Sequence, residues 1–327
     1  MKLHLDIDAF EAIVLDIQNR EDIRSDVLEK DYYVTLMLNE LSKNQADWKA
    51  YFKGGTALYK ALSSINRFSE DIDLTVYVND CSSSNQKRVR LEKSADSYSC
   101  LPKLVEDKDN KKSKWSIVSI YKYDPIFTDF IDDPLQRFGR VKIESTSFTV
   151  SEPTEIMEIA PVIYNKATEE QRTILKEQFD VFPFGIMTIK LERIFIDKIF
   201  AAEFYYKKVK DTTLDIEIRN NAAFDVAKHV YDLIVLFNNH KIKALLSNDS
   251  LLKELIGFKR QEEAVRSGGI DASLKIKDFS YLYKINDDHE LLTAYKKMQD
   301  IYVFNDKDIL PLNKTTKVIE AIKGIKE

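Results

Sequence analysis

Between Lys53 and Val78 the chain reads Lys-Gly-Gly-Thr-Ala-Leu-Tyr-Lys and then, from Arg67, Arg-Phe-Ser-Glu-Asp-Ile-Asp-Leu-Thr-Val. No other stretch narrows the choice of fold as much. Tyr51 and Phe52 form a short apolar approach to Gly54-Gly55, and Thr56 to Leu62 has helical character, so a glycine pair opens a helix directly after an extended segment. Arg67 to Glu70 reads as a loop. Asp71 to Val78 is rich in β-formers and alternates: Ile72, Leu74, Val76 and Val78 share one face, leaving Asp71, Asp73, Thr75 and Tyr77 on the other.

That alternation puts two carboxylates side by side. Residues i and i+2 of a strand face the same way, so Asp71 and Asp73 stand roughly 7 Å apart at their Cα atoms. Like charges so close call for a counter-ion, and a hard divalent cation takes oxygen ligands and steadies the charge on transferring phosphates. The glycines supply a complementary half: at a helix N-terminus they let backbone N–H groups approach an anion, and the Thr56 hydroxyl would bond a phosphate oxygen. Fourteen residues lie between Thr56 and Asp71, enough for a helix and a return to an adjacent strand. Each half alone also fits a bland reading, a solvated strand face or a plain turn.

Composition excludes several classes. The 327 residues are 44% hydrophobic and 31% charged, which suits a globular chain with one large or two medium cores. Cys81 and Cys100 lie in a polar region without zinc or disulfide spacing, so a reducing cytoplasm is expected. The first eight residues carry charges where a signal peptide needs an apolar stretch, and no run nears the ~18–20 apolar residues of a membrane helix. Neither export nor membrane insertion is expected. His4, His229, His240 and His289 are scattered, which argues against zinc chemistry; there is no Gly-x-Ser-x-Gly elbow, and Lys53 precedes the glycines where a Walker lysine would follow them. The net charge of −5 gives no global attraction to nucleic acid, yet Ser82–Lys122 holds ten Lys/Arg against five Asp/Glu.

Along the chain, residues 6–19 and 26–42 have helical periodicity and read as packing helices. A cap or loop follows Asp80, then a Lys/Arg-rich segment with helical character, then a charged loop over 106–114. Trp115–Tyr123 and Arg140–Val150 alternate as strands around a turn at Asp132-Asp133-Pro134. Beyond Pro153 helical segments take over, at roughly 169–178, 186–208, 213–239, 250–257 and 287–300, with breaks at Gly268-Gly269 and near Pro311. The expected class is α+β: a mixed sheet flanked by helices over residues 1–155, followed by a mostly helical domain over 156–327.

Gly-Gly-Thr followed at this spacing by Arg-Phe-Ser-Glu-Asp-Ile-Asp-Leu resembles the DNA polymerase β-like nucleotidyltransferase superfamily. More narrowly it resembles the AbiEii/AbiGii/MenT nucleotidyltransferase toxins of bacterial type IV toxin–antitoxin systems. Leu28-Glu-Lys-Asp-Tyr-Tyr-Val is similar to that family's Lys-Asp-aromatic helix. Leu191-Glu-Arg-Ile-Phe-Ile-Asp-Lys-Ile-Phe-Ala-Ala and Lys228-His-Val-Tyr-Asp-Leu are similar to its later motifs, so the likeness spans about residues 25–240. It implies Asp71 and Asp73 as ligands of Mg²⁺ (or Mn²⁺), Lys198 as a contact to the NTP triphosphate, and Asp232 as the last member of the site, in a cleft between the two halves. It also implies a third carboxylate on a neighbouring strand, for which Glu144 is the best candidate, an exposed strand glutamate being the other reading. Arg67 and Ser69 belong to the matched loop; Arg67 would bind phosphate or pair with Glu70 or Asp71, and Lys53 is similarly ambiguous.

On a helix, Lys198 has Ile194, Phe195, Ala201 and Ala202 as neighbours, so its ammonium leaves an apolar face. It would reach a phosphate, snorkel to solvent or pair with a buried acid such as Asp232. The expected reaction is metal-dependent transfer of a nucleoside monophosphate from an NTP, with Gly54, Gly55 and Thr56 on the β/γ-phosphates. The resemblance implies a tRNA or RNA acceptor and a cognate antitoxin. The basic 82–122 segment with Tyr98, Trp115, Tyr121 and Tyr123 would touch RNA, or is simply a solvated helix and loop. Transfer to a protein or small molecule, and a catalytically silent binding module, are the alternatives.

Overall fold

The computed structural model describes residues 1–62, 67–128, 138–303 and 308–327. The chain divides into two compact units. The first comprises Met1–Leu62, Phe68–Ser147 and Thr154–Ile189; the second takes Arg67 together with Phe148–Pro153 and Lys190–Glu327.

The first unit begins with α1 (Ile7–Glu21) and α2 (Ser25–Trp48), then β1 (Ala50–Lys53), α3 (Gly54–Leu62), β2 (Ile72–Val76) and α4 (Ser84–Asp96). It continues with β3 (Lys111–Lys112), β4 (Ser116–Lys122), β5 (Arg140–Thr146), β6 (Thr154–Ile159), α5 (Val162–Lys166), α6 (Glu169–Glu177) and β7 (Phe184–Ile189). Three of these helices, α1, α4 and α6, start at a side-chain cap: Asp6 accepts from Ala9 N, Ser83 from Gln86 N, and Thr168 with Gln171 forms a reciprocal capping box.

Seven strands make one mixed sheet in the order β3-β4-β5-β2-β1-β7-β6. β2 runs antiparallel to β1 and parallel to β5, so the strand bearing the aspartates is central. Its apolar row drives this placement, since Ile72, Leu74 and Val76 are buried with Phe52 of β1 and Val141 and Ile143 of β5. α2 is tied to the sheet by Gln45, whose Nε2 donates to the Ala50 and Met187 carbonyls at 2.9 Å and whose Oε1 accepts from Met187 N at 2.7 Å.

β6 and β7 correct the expected onset of helix after Pro153. Phe184-Gly-Ile-Met-Thr-Ile is a short apolar run inside the sheet, and periodicity alone does not separate such a run from a buried helix segment. The helix expected from 186 therefore starts at Leu191. The turn expected at Asp132-Asp133-Pro134 lies outside the described residues.

The second unit is helical. α7 (Leu191–Lys210) and α8 (Ile216–Phe237) pack together, followed by α9 (His240–Leu246), α10 (Asp249–Val265), α11 (Tyr281–Lys284), α12 (His289–Tyr302) and α13 (Thr315–Lys323). Phe195, Ile199 and Phe200 of α7 and Val226, Val230 and Leu233 of α8 are buried. Within it, Phe148–Pro153 is pinned by a buried ionic cluster: Arg193 lies 2.5 Å from Glu262 Oε1, which also accepts from Val150 N at 2.8 Å, and Lys259 reaches Glu262 and Glu263 at 3.1 and 3.0 Å. Among the described residues, no helix is long and apolar enough to cross a membrane.

Candidate active site

β1, β2 and β5 lie side by side, and their register puts Asp73 opposite Lys53 on one side and Glu144 on the other. Side chains directly opposite one another share a face of the sheet. Two residues along the same strands, Asp71, Lys142 and Thr146 share that face too. The result is a polar row, Lys53, Asp73 and Glu144, flanked by Lys142 2.6 Å from Asp71 Oδ2 and by Thr146, whose Oγ1 accepts from Lys53 Nζ at 3.3 Å.

Gly54 shows why this corner is built as it is. Its φ is +82°, a backbone region that side chains disfavour, and a Cβ there would fall 2.1 Å from Asp73 Oδ2. The first glycine thus makes room for the aspartate, a demand from tertiary packing that its place in the sequence did not reveal. Gly55 follows it into the first turn of α3. Thr56, fully buried, donates its hydroxyl hydrogen to the Asp71 carbonyl and lies 3.0 Å from Ser69 Oγ. Its hydroxyl, expected on a phosphate, is spent instead on holding the 69–71 loop against α3.

The electrostatics follow from the packing. Burial pushes the Asp73 carboxyl up to about 7, and the negative charges of Glu144 and Asp71 add to the rise against Lys53 and Lys142. Asp71 in turn holds the Lys142 ammonium above its ordinary value. Lys142 carries no motif signature; only its spacing two residues before Glu144 on an alternating strand hints at the shared face. Among the described residues, no three carboxylate, imidazole or thiolate groups converge to enclose an ion by themselves.

Within the second unit, Asp232 of α8 is fully buried between two cations. Arg67 Nε and Nη2 each donate to its carboxylate at 2.7 Å, and Lys198 Nζ of α7 lies 2.7 Å from Oδ2. Burial alone would raise this carboxyl; Arg67 and then Lys198 outweigh it and hold it well below the usual range. Arg67, expected on a phosphate or on Glu70 or Asp71, has its fork on Asp232, because a bidentate guanidinium best matches a buried carboxylate. Two cations thus share one buried carboxylate. His229, one helical turn before Asp232, is kept neutral by burial and by the nearby Lys198 charge, with its ring stacked on Tyr205 at 5.5 Å.

The aromatic residues of the basic segment need a correction. Tyr98, Tyr121 and Tyr123 are 6%, 0% and 4% exposed and belong to the core, so they are unavailable for base stacking. Trp115 stays exposed at the β3–β4 turn with Lys111, Lys112 and Lys114, the Lys114 ammonium 4.6 Å from its ring centroid.

An α+β sheet carrying paired carboxylates beside a glycine-headed helix is the framework of a nucleotidyltransferase. The chain belongs to the family described as the nucleotidyl transferase AbiEii toxin of type IV toxin–antitoxin systems, whose model matches residues 36–308. The match takes in helices after residue 240, where the sequence shows packing periodicity and no motif, and leaves Lys30 and Asp31 outside. No curated protein matches the chain significantly. No solved structure does so either.

Two outcomes follow from these groups. In the metal-free folded chain Asp73 keeps its proton to about pH 7, whereas unfolded it releases it near pH 4. The folded state therefore binds more protons between those values, and this contribution lowers stability as pH rises through the window. Asp73→Asn removes it, so denaturant unfolding at about pH 5 and pH 8 will show the variant gaining on wild type at the higher pH; parallel curves would contradict the assignment. Asp232→Asn strands two buried cations and is expected to cost about 3–5 kcal/mol, whereas Arg67→Met keeps the Lys198–Asp232 pair and costs less. Equal losses in the two variants would rule out the shared-anion arrangement.

Proposed function

We propose that this chain transfers a nucleoside monophosphate from an NTP to a hydroxyl of an RNA acceptor, with tRNA 3′ ends the leading candidates, and acts as a toxin restrained by a cognate antitoxin. The observation that carries this reading is the row Lys53, Asp73 and Glu144 with Asp71 beside it, set against Gly54. Hard oxygen donors, with Asp73 raised by burial and then by Glu144 and Asp71, suit Mg²⁺ or Mn²⁺, and Mg²⁺ commonly uses one or two carboxylates and completes its shell with substrate phosphates and water. Asp71 and Asp73 would hold it, with Glu144 as the third carboxylate. Bound there, the cation would stabilise charge on the transferring phosphoryl group and acidify the acceptor hydroxyl.

The chain's own residues do the rest. The N-terminus of α3, headed by Gly54 and Gly55, offers backbone N–H groups to the β/γ-phosphates. Thr56 and Ser69 keep the Asp71 backbone in place. Lys198 is assigned the neutralisation of the departing pyrophosphate, with Asp232 and Arg67 fixing its ammonium. Exposed Lys111, Lys114 and Trp115 support an RNA acceptor through phosphate contacts and stacking.

Incubating the chain with each labelled NTP, Mg²⁺ and total tRNA, beside Asp71→Ala, tests the reading. Label is expected on RNA and is expected to fall at least about 100-fold in the variant. Label on protein would move the acceptor to that class, and no label from any NTP would sink the reading.

A further inference from the structure

Two consecutive residues of α2, Lys30 and Asp31, are 2% and 1% exposed, and neither is accounted for by the site just described. Burying charges costs free energy, and such pairs often stabilise a fold no better than apolar residues of the same shape. What they connect is therefore informative. The Lys30 ammonium donates to the carbonyl of Arg140 and lies 3.7 Å from Glu70 Oε2. Arg140 is the first residue of β5, two before Lys142 and four before Glu144; Glu70 immediately precedes Asp71 at the start of β2. β2 and β5 are parallel neighbours, so one buried cation joins the starting ends of both carboxylate-bearing strands.

Asp31 faces the other way, as adjacent helical residues must, about 100° around the helix. It forms an ion pair with Lys60 of α3, the helix headed by Gly54 and Gly55, and accepts from Val162 N at 2.7 Å; Lys60 also donates to the Ala160 carbonyl at 3.3 Å. The glycine-headed helix and the two acidic strands thus share one anchor.

We propose that Lys30 and Asp31 are positioning residues for nucleotidyl transfer: Lys30 sets the spacing of Asp71 against Glu144, and Asp31 sets the α3 N-terminus against them. This rests on the nucleotidyltransferase reading for its catalytic consequence, but its structural half stands alone. An error of about 1 Å between reacting groups costs on the order of 10²-fold in rate, so the anchor acts on turnover more than on substrate binding.

The test uses the full chain carrying Lys30→Met and, separately, Glu70→Gln; the second removes the ion pair at an 11% exposed side chain and so decides the matter if the first does not fold. In both, kcat is expected to fall at least about tenfold with KM for NTP within about threefold, and Lys30→Arg to recover most of the loss. Amide hydrogen exchange is expected to quicken at residues 69–73 and 140–144 together and to stay unchanged in α12. Wild-type kcat in the folded variants, or unchanged exchange at both strand starts, would overturn the assignment. A wild-type chain that transfers nothing would instead refute the enzymatic reading, and the exchange result would then decide the anchor by itself.

Discussion

The packing of Asp73 against Gly54 is the constraint on which the rest of the first unit depends. A carboxylate occupies the space where any other residue at position 54 would place its Cβ. It stands in register with Lys53 and Glu144, and its own strand is held by an apolar row on the opposite face. Alternation within β2 therefore separates the two tasks of the strand: one face supplies burial, the other collects charge. Burial first, and then the neighbouring charges of Glu144 and Asp71, shift the Asp73 carboxyl upward. A carboxyl raised in this way gives up its proton when a cation binds, as the proposed divalent-ion site requires.

Charge is handled differently in the second unit. There Asp232 is fully buried and paired with both Arg67 and Lys198. A carboxylate held this firmly is a poor proton donor at neutral pH and a good anchor, which suits the fixing of a lysine. The cluster formed by Arg193, Lys259, Glu262 and Glu263, which Asp197 joins, holds the backbone of Val150, a structural duty.

Much of this was legible in the residues. The alternation from Asp71 to Val78 fixes which side chains share a face, and the structure follows it. Glu144 could be nominated because its segment alternates; that it stands beside Asp73 depends on a parallel pairing that no local signal carries. Lys142 was missed for the same reason. Thr56 was read as phosphate-facing, and Arg67 as phosphate-binding or paired with Glu70 or Asp71; a buried hydroxyl and a buried guanidinium satisfy acceptors within reach, here the Asp71 carbonyl and the Asp232 carboxylate. The short apolar run that becomes β7 carries too little periodicity to be told from helix, and the tyrosines of the basic segment reveal their burial only once α4 and β4 are in place.

The central proposal is that the acidic face of β2 and β5 holds a divalent cation. It is tested most directly by titrating Mn²⁺ into the chain calorimetrically in two buffers of different ionisation heat, which counts the protons released on binding. At about pH 6.5, where Asp73 still holds most of a proton, release of roughly half to one proton per ion is expected, falling towards zero at about pH 8.5. Binding without proton release at the lower pH, or no binding at either, would contradict the claim.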